Sequence, residues 1–136
     1  MNARAVSGIA AGFAAWWFLF LVESFLIVGF WPYRDAEVRR AVLELGDYTQ
    51  LPTAMLAVLL FNYIPIGLVS GWITVSITEN RRHPWIVATP TFLYAVFQHL
   101  HTLWNSLPAW YNVGVVLIIY PFVVIGGRLV RLTAEP

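Results

Sequence analysis

The stretch WWFLFLVESFLIVGFW, residues 16–31, decides how the chain is read, because Glu23 is the one charged residue in it. With the small and apolar residues upstream it forms a run from about residue 5 to residue 30. A hydrocarbon core is crossed by roughly 20 mainly apolar residues, so this run is long enough to span one. Arg4 ahead of it gives the outline of a secretory leader. The run is nevertheless far longer than the roughly 7 to 15 residues of a leader's apolar region, and no small-x-small site closes it. The expectation is a retained anchor.

Working outward, composition supports the same solvent. Of 136 residues, 60% are hydrophobic and 11% charged, with a mean hydropathy of +0.71, too little polar surface to cover a water-soluble domain of this size. Three further apolar runs follow, at about 52–77, 85–106 and 112–130. They are separated by TENRRHPW (78–85) and NSLPAWYN (105–112), both turn-like in their proline and small polar residues. The expected fold class is all-α: an integral membrane bundle of four transmembrane helices forming a single domain over residues 1–136.

Arginine placement orients it. Arg4, Arg81, Arg82, Arg128 and Arg131 fall at the two ends and the second loop, against Arg34, Arg39 and Arg40 in the first loop. Basic residues favour the cytoplasmic side, so both termini are expected there, with a bacterial inner membrane as the setting. Trp31, Tyr33, Tyr48, Trp104, Trp110 and Tyr111 would then mark the outer interface and Trp85 the inner one. In the first outer loop, Val38, Ala41, Val42 and Leu45 recur at helical spacing. Asp35 is placed to cap the start and Gly46 to end the turn, so a short amphipathic interfacial helix is expected over about 36–45.

Lipid supplies no hydrophobic drive between helices, so close approach relies on small residues. Gly8 and Gly12 in the first span and Gly67 and Gly71 in the second share a GxxxG spacing toward the inner face. The bulky outer half of the first span implies helices pinched at the inner end and further apart at the outer one. Pro65 and Gly71, and Pro121 and Gly127, recur at the same separation in the two even-numbered spans, a faint echo between the two hairpins.

Glu23 is the leading candidate for chemistry. An ionised carboxylate near the bilayer centre costs about 2.5 to 3.5 kcal/mol on insertion scales, so such acids face the bundle interior or water and often carry function. On the third span, Thr91, Tyr94, Gln98, His101 and Asn105 follow helical spacing and form one polar stripe, with His99 turned nearly opposite His101. Counted inward from the outer aromatic belt at 1.5 Å per residue, Glu23 lies at a depth of about 12 Å, Gln98 about 9 Å, His101 about 5 Å and Asn62 about 15 Å. The candidate ligand- or proton-binding set is therefore Glu23, Asn62, Tyr94, Gln98, His101 and Asn105.

Other chemistries find no support. The absence of cysteine removes thiolate catalysis and Cys-ligated metals. No HExxH, carboxylate cluster or second histidine pair points to a metal, and no cofactor is expected. No serine has His-Asp company, so no catalytic residue is assigned. A formal net charge of +1 gives no reason to expect nucleic acid. A lone glutamate in the first of four spans resembles the small multidrug resistance transporters. The likeness covers span count and Glu23; the longer first outer loop and the histidines of the third span depart from that pattern, and the activity is not carried over. The expected function is a non-enzymatic membrane protein, an accessory subunit or small-ligand binder, with the lipid bilayer and a homo-oligomer or larger membrane complex as its partners. The rivals are a proton-coupled small-molecule transporter using Glu23 and a redox or haem-binding subunit.

Overall fold

The computed structural model describes residues 2–30, 36–37, 40–41 and 47–130. Regular structure among them is entirely helical: α1 (Ala3–Phe30), a 3-10 turn (Tyr48–Gln50), α2 (Thr53–Thr78), α3 (His83–Val96), a π-helical segment (Phe97–Thr102) and α4 (Ala109–Arg128). Proline sets three of the helix starts. Pro52 and Pro108 precede α2 and α4, and Pro84 sits in the first turn of α3, where a missing N–H costs nothing because that turn has no intrahelical acceptor for it. Three helices, α1 over Ala3–Leu26, α2 and α4, are long and apolar enough to cross a membrane. Large apolar side chains such as Phe18, Phe61 and Leu117 stand exposed on them. These features suggest a membrane protein.

The segment expected as a third span differs from the other three. Its α-helix runs for 14 residues and then widens into six residues of π-helix. Helical structure ends at Thr102, with Asn105 and Ser106 in the following turn. The last turn closes with the i→i+5 bond from Leu103 N–H to the Gln98 carbonyl, 2.7 Å. Pro90 interrupts the α-helical part. On either side of it, Thr89 and Thr91 donate from their hydroxyls to the carbonyls of Trp85 and Val87 at 2.8 and 2.9 Å, adding side-chain bonds where the backbone ladder is broken. Of the interfacial helix expected over about 36–45, Ala36, Glu37, Arg40 and Ala41 are helical. Its remaining positions, together with Trp31, Tyr33, Arg34, Asp35, Gly46 and Arg131, lie outside the described residues.

α2 is the central element, packed along α1 on one side and α4 on the other, while α3 rests mainly on α4. One end of this arrangement is closed by glycines. A Cβ on Gly8 would strike Thr78, and one on Gly12 would strike Thr74 and come within 3.0 Å of the Ser70 carbonyl. Across the other seam, a Cβ on Gly67 would lie 3.0 Å from Phe122 Cβ, one on Gly71 would strike the Val123 carbonyl and one on Gly126 the Leu68 carbonyl. The two glycine pairs therefore do not face each other: Gly8 and Gly12 open α1 to α2, and Gly67 and Gly71 open α2 to α4. Ser70 Oγ uses the proximity to donate a buried 2.7 Å hydrogen bond to the Gly12 carbonyl. Outside the seam, Arg4 holds the end of α2, donating from Nε to the Ile77 carbonyl at 2.6 Å and pairing its guanidinium with Glu79.

Candidate functional site

The other end of the bundle is built from rings instead of glycines. On the buried face of α4, Tyr111, Val115, Ile119 and Val123 recur every fourth residue. Tyr111 is the position nearest the helix start. Trp16, Phe20 and Tyr63 stack into an aromatic wall between α1 and α2. Their centroids lie 5.5 Å apart for Trp16 and Phe20, 6.4 Å for Trp16 and Tyr63, and 5.9 Å for Phe20 and Tyr63, with planes inclined by 14° to 28°. Rings of this size leave space between helices that glycine contacts draw together elsewhere. The result is a cavity of about 520 Å³, into which Glu23 and Ser24 of α1, Tyr63 of α2, Tyr94 of α3, Gln98 and His99 of the π segment, and Tyr111 of α4 all contribute.

Glu23 enters the cavity half-buried. Its carboxylate interacts with the side chain of Asn62 on α2, but Oε1 is buried with no hydrogen-bond partner. Tyr63 of α2 and Tyr111 of α4 both line the cavity with Glu23, and their phenols are near enough to interact with each other and with its carboxylate. Trp16 Nε1 is a second buried polar atom with no partner in the same wall. A buried polar group left unpaired carries its full desolvation penalty, about 1 to 3 kcal/mol. Such groups mark places where a partner belongs.

His99 is fixed from behind. Asn112, fully buried in the first turn of α4, donates from Nδ2 to the carbonyls of Leu103 and Leu107 at 3.4 and 3.1 Å. With the amide's donor end committed in this way, Oδ1 is the end that meets His99 Nδ1, 3.0 Å away. The ring must therefore donate from Nδ1, which leaves Nε2 as a lone-pair acceptor. Nε2 has no hydrogen-bond partner among the described residues. The π segment is what presents this ring. Its wider turn lets Gln98 and His99 line the cavity together with Tyr94, and π turns of this kind recur at functional sites.

The candidate residues read from the sequence are distributed as follows. Glu23, Tyr94 and Gln98 share the cavity, and Asn62 stands beside Glu23. His101 is exposed and stacked on Phe97, with centroids 5.2 Å apart and planes at 11°, and Asn105 is exposed in the turn. Neither lines the cavity. Thr91 is buried one turn below Tyr94 with its hydroxyl bonded to Val87. His99, Asn112, Tyr63 and Tyr111 are not in the site set read from sequence, which has His99 only as turned away from His101 and Tyr111 only as an interfacial ring. The i, i+4 run of bulky residues starting at Tyr111 was the available signal for α4. For His99 the signal was its separation by two residues from His101, which requires that only one of the two face inward. Among the described residues, no group of three or more His, Asp or Glu side chains is assembled that could hold a metal ion.

Comparison with protein families, with curated proteins and with solved structures returns no match. The site is accordingly read from its geometry.

Proposed function

We propose that this chain is a four-span integral membrane protein that binds a small ligand in the cavity around Glu23. The observation that carries the reading is the buried, unpartnered Glu23 Oε1 opening on a cavity of about 520 Å³, within the 300 to 1,000 Å³ or so typical of small-molecule sites. α3 and the π segment together approach the length of about 20 residues that a crossing needs, which supports counting them as the fourth span. Four spans put both termini on one face, and the arginines at those termini favour the cytoplasm of a bacterial inner membrane. The loop over about 36–45 is assigned to an interfacial helix on the opposite face, and the seam glycines 8, 12, 67 and 71 to helix packing. Assembly as a homo-oligomer or with a larger membrane complex belongs to the same reading.

The test is native mass spectrometry of the gently solubilised protein. A retained small molecule that is lost in Glu23→Gln supports a binding site. An empty protein, or a retained molecule indifferent to Glu23→Gln, overturns it, and a protein partner that stays bound to Glu23→Gln favours an accessory subunit instead. A second reading, proton-coupled transport, is favoured by the phenols of Tyr63 and Tyr111 lining the same cavity as Glu23, ionisable groups of the kind that pass protons within membranes. In proteoliposomes it requires flux driven by a pH gradient and abolished by Glu23→Gln.

A further inference from the structure

Resting on the ligand-binding reading, the polar atoms left open in the cavity narrow the class of occupant. From their placement we infer that the ligand is a para-hydroquinone carried in the bilayer, a flat ring with a hydroxyl at each end. Three polar atoms of the lining have no partner among the described residues, and they are of both kinds. Trp16 Nε1 carries a hydrogen that nothing accepts, and Glu23 Oε1 lacks a donor. His99 Nε2 is an acceptor because Asn112 ties down Nδ1. The course of the helices sorts these atoms by level. α1 is antiparallel to α2, since Gly8 meets Thr78 and Gly12 meets Thr74. α2 and α4 run together, with Leu60 at Gly114 and Gly71 at Gly127, and α3 opposes α4, with Pro84 at Gly127 and His99 at Asn112. α1 and α3 therefore run in the same direction, level with each other where Trp17 packs on Tyr94 with centroids 5.0 Å apart. From that level Glu23 is six residues on and His99 five, which puts both acceptors about 7 to 9 Å further along at 1.5 Å per residue. Trp16 stays at the starting level. The donor stands at one end of the cavity and the acceptors at the other.

The spacing fits such a ring end to end. Trp16 and Glu23 are seven residues apart on α1, about 10 Å, and a hydroquinone with a hydrogen bond of about 2.8 Å beyond each oxygen spans about 11 Å. Between the two ends, Phe20 and Tyr63 continue the stack begun by Trp16, with planes inclined by 14° to 28°, a wall on which a flat ring lies offset. One hydroxyl accepts from Trp16 Nε1–H, and the other donates at the end where Glu23 Oε1 and His99 Nε2 both lack a hydrogen. An ammonium has no lone pair to offer Trp16, and a carboxylate sets its charge against Glu23 and the lone pair of His99. A quinone accepts at both ends and meets these two acceptors with lone pair against lone pair, so the reduced ring is the one that fits. The exposed members of the lining include Leu21 and Phe25 on α1 and Tyr94 on α3. The cavity is thus open at the seam between these helices, on the flank of the bundle, where the aliphatic tail of a bilayer-borne ring leaves it.

Three probes of nearly one shape separate the contributions: tetramethylhydroquinone, 2,3,5,6-tetramethylphenol and tetramethyl-1,4-benzoquinone, each titrated calorimetrically under argon into the full chain in detergent, with partition into empty micelles measured and divided out. The first has a hydroxyl at each end, the second a hydroxyl at one end only, and the third carbonyls that accept without donating. The hydroquinone is expected to bind about tenfold more tightly than either of the others, the scale of one buried hydrogen bond. In Trp16→Phe, which keeps a ring in the wall and removes the N–H, it should fall to the affinity of the phenol. In Glu23→Gln, whose amide can donate to a carbonyl, it should lose its margin over the quinone. An unchanged margin in either folded variant overturns the proposal. The three-probe comparison on the unmodified chain stands even if a variant fails to fold. Equal binding of the phenol overturns the two-ended site, and with it the proposal. Equal binding of the quinone overturns the donation to Glu23 and His99, with the same consequence. If no probe binds while the purified protein retains some other molecule in a Glu23-dependent way, the class is wrong and the binding site stands. If no probe binds and nothing is retained, both fall.

Discussion

Where α2 and α4 carry Gly71 and Gly126, backbone meets backbone, and where α1 carries Gly8 and Gly12 its backbone meets Thr78 and Thr74 of α2, whereas where these helices carry Glu23, Tyr63 and Tyr111, side chain meets side chain around a cavity. The same helices build both ends, so the difference lies in what is attached to them. At the glycine end the stabilising contacts are dispersion between close surfaces and the hydrogen bond from Ser70 to the Gly12 carbonyl. At the ring end, polar atoms remain unpaired. Close packing thus anchors one half of the molecule, which lets the other half keep a space that packing alone would remove.

The strongest way to break this contrast is to put bulk into the seam. Gly71→Leu places atoms against the Val123 carbonyl and the Gly127 backbone, neither of which is the free end of a flexible side chain. Overpacking typically costs about 1 to 3 kcal/mol and more where backbone must move, so loss of the monodisperse folded protein on size exclusion in detergent is expected. Gly114→Ala is the control. Its Cβ would meet the Leu60 side-chain methyls at 2.9 Å, atoms that can turn aside, so retention of the folded peak is expected.

Next in size is Asn112→Ala, at the ring end. It removes the acceptor of His99 and the donor to two carbonyls at once. Each buried group left unpaired costs about 1 to 3 kcal/mol, so a total of about 3 kcal/mol is expected by unfolding in a denaturing detergent. Stability within about 0.5 kcal/mol of the parent would mean that water replaces the amide, and that His99 is not held in one tautomer as the distances require.

These two ends also differ in how much of them the sequence showed. Three spans were legible because crossing length and apolarity are summed over many residues, and local exceptions do not upset them. Glu23 was legible for the opposite reason, as a lone charge in an apolar run. Gly8, Gly12, Gly67 and Gly71 announced close approach, but spacing along one helix does not say which neighbour is approached, and α2 turns its pair toward α4. The π segment carried no such sign. No residue type demands i→i+5 bonding; here it accompanies a tertiary pair, His99 with Asn112, that joins residues on separate elements. A stripe drawn on an ideal α-helix placed Gln98 and His101 together, where the wider turn groups Gln98 with His99.

A smaller effect is expected from Ser70→Ala, which deletes the hydroxyl that bonds Gly12 O. Interhelical bonds of this kind average about 0.6 kcal/mol, with a maximum near 1.7, because the separated helices find other partners in lipid. A loss of about 0.5 to 1.5 kcal/mol in the same unfolding measurement is expected. A much larger loss would indicate that this bond, and not the absent glycine side chains, sets the approach of α1 to α2.

The smallest expected effect lies at the rim of the cavity. Asp47 accepts from Thr49 N–H at 3.0 Å and from its hydroxyl at 2.6 Å, fixing the 3-10 turn that carries Tyr48 and leads to Leu51, both in the cavity lining. The hydroxyl bond first and the amide bond second stabilise the carboxylate and hold its pKa below the usual range. A carboxyl whose folded pKa is depressed contributes order that is fully present above its unfolded value, about 3.9, and that fades as pH falls through the lower folded one. At neutral pH the amide hydrogen of Thr49 should therefore exchange faster in Asp47→Ala than in the parent, while global unfolding is unchanged because the carboxylate is exposed. With the ordinary pH dependence of exchange divided out, acidifying the parent below about pH 4 should bring the two into line. If they already match at neutral pH, the rim is held by the burial of Leu51 and not by its aspartate, and the ring end is stiffer at its mouth than its hydrogen bonds imply.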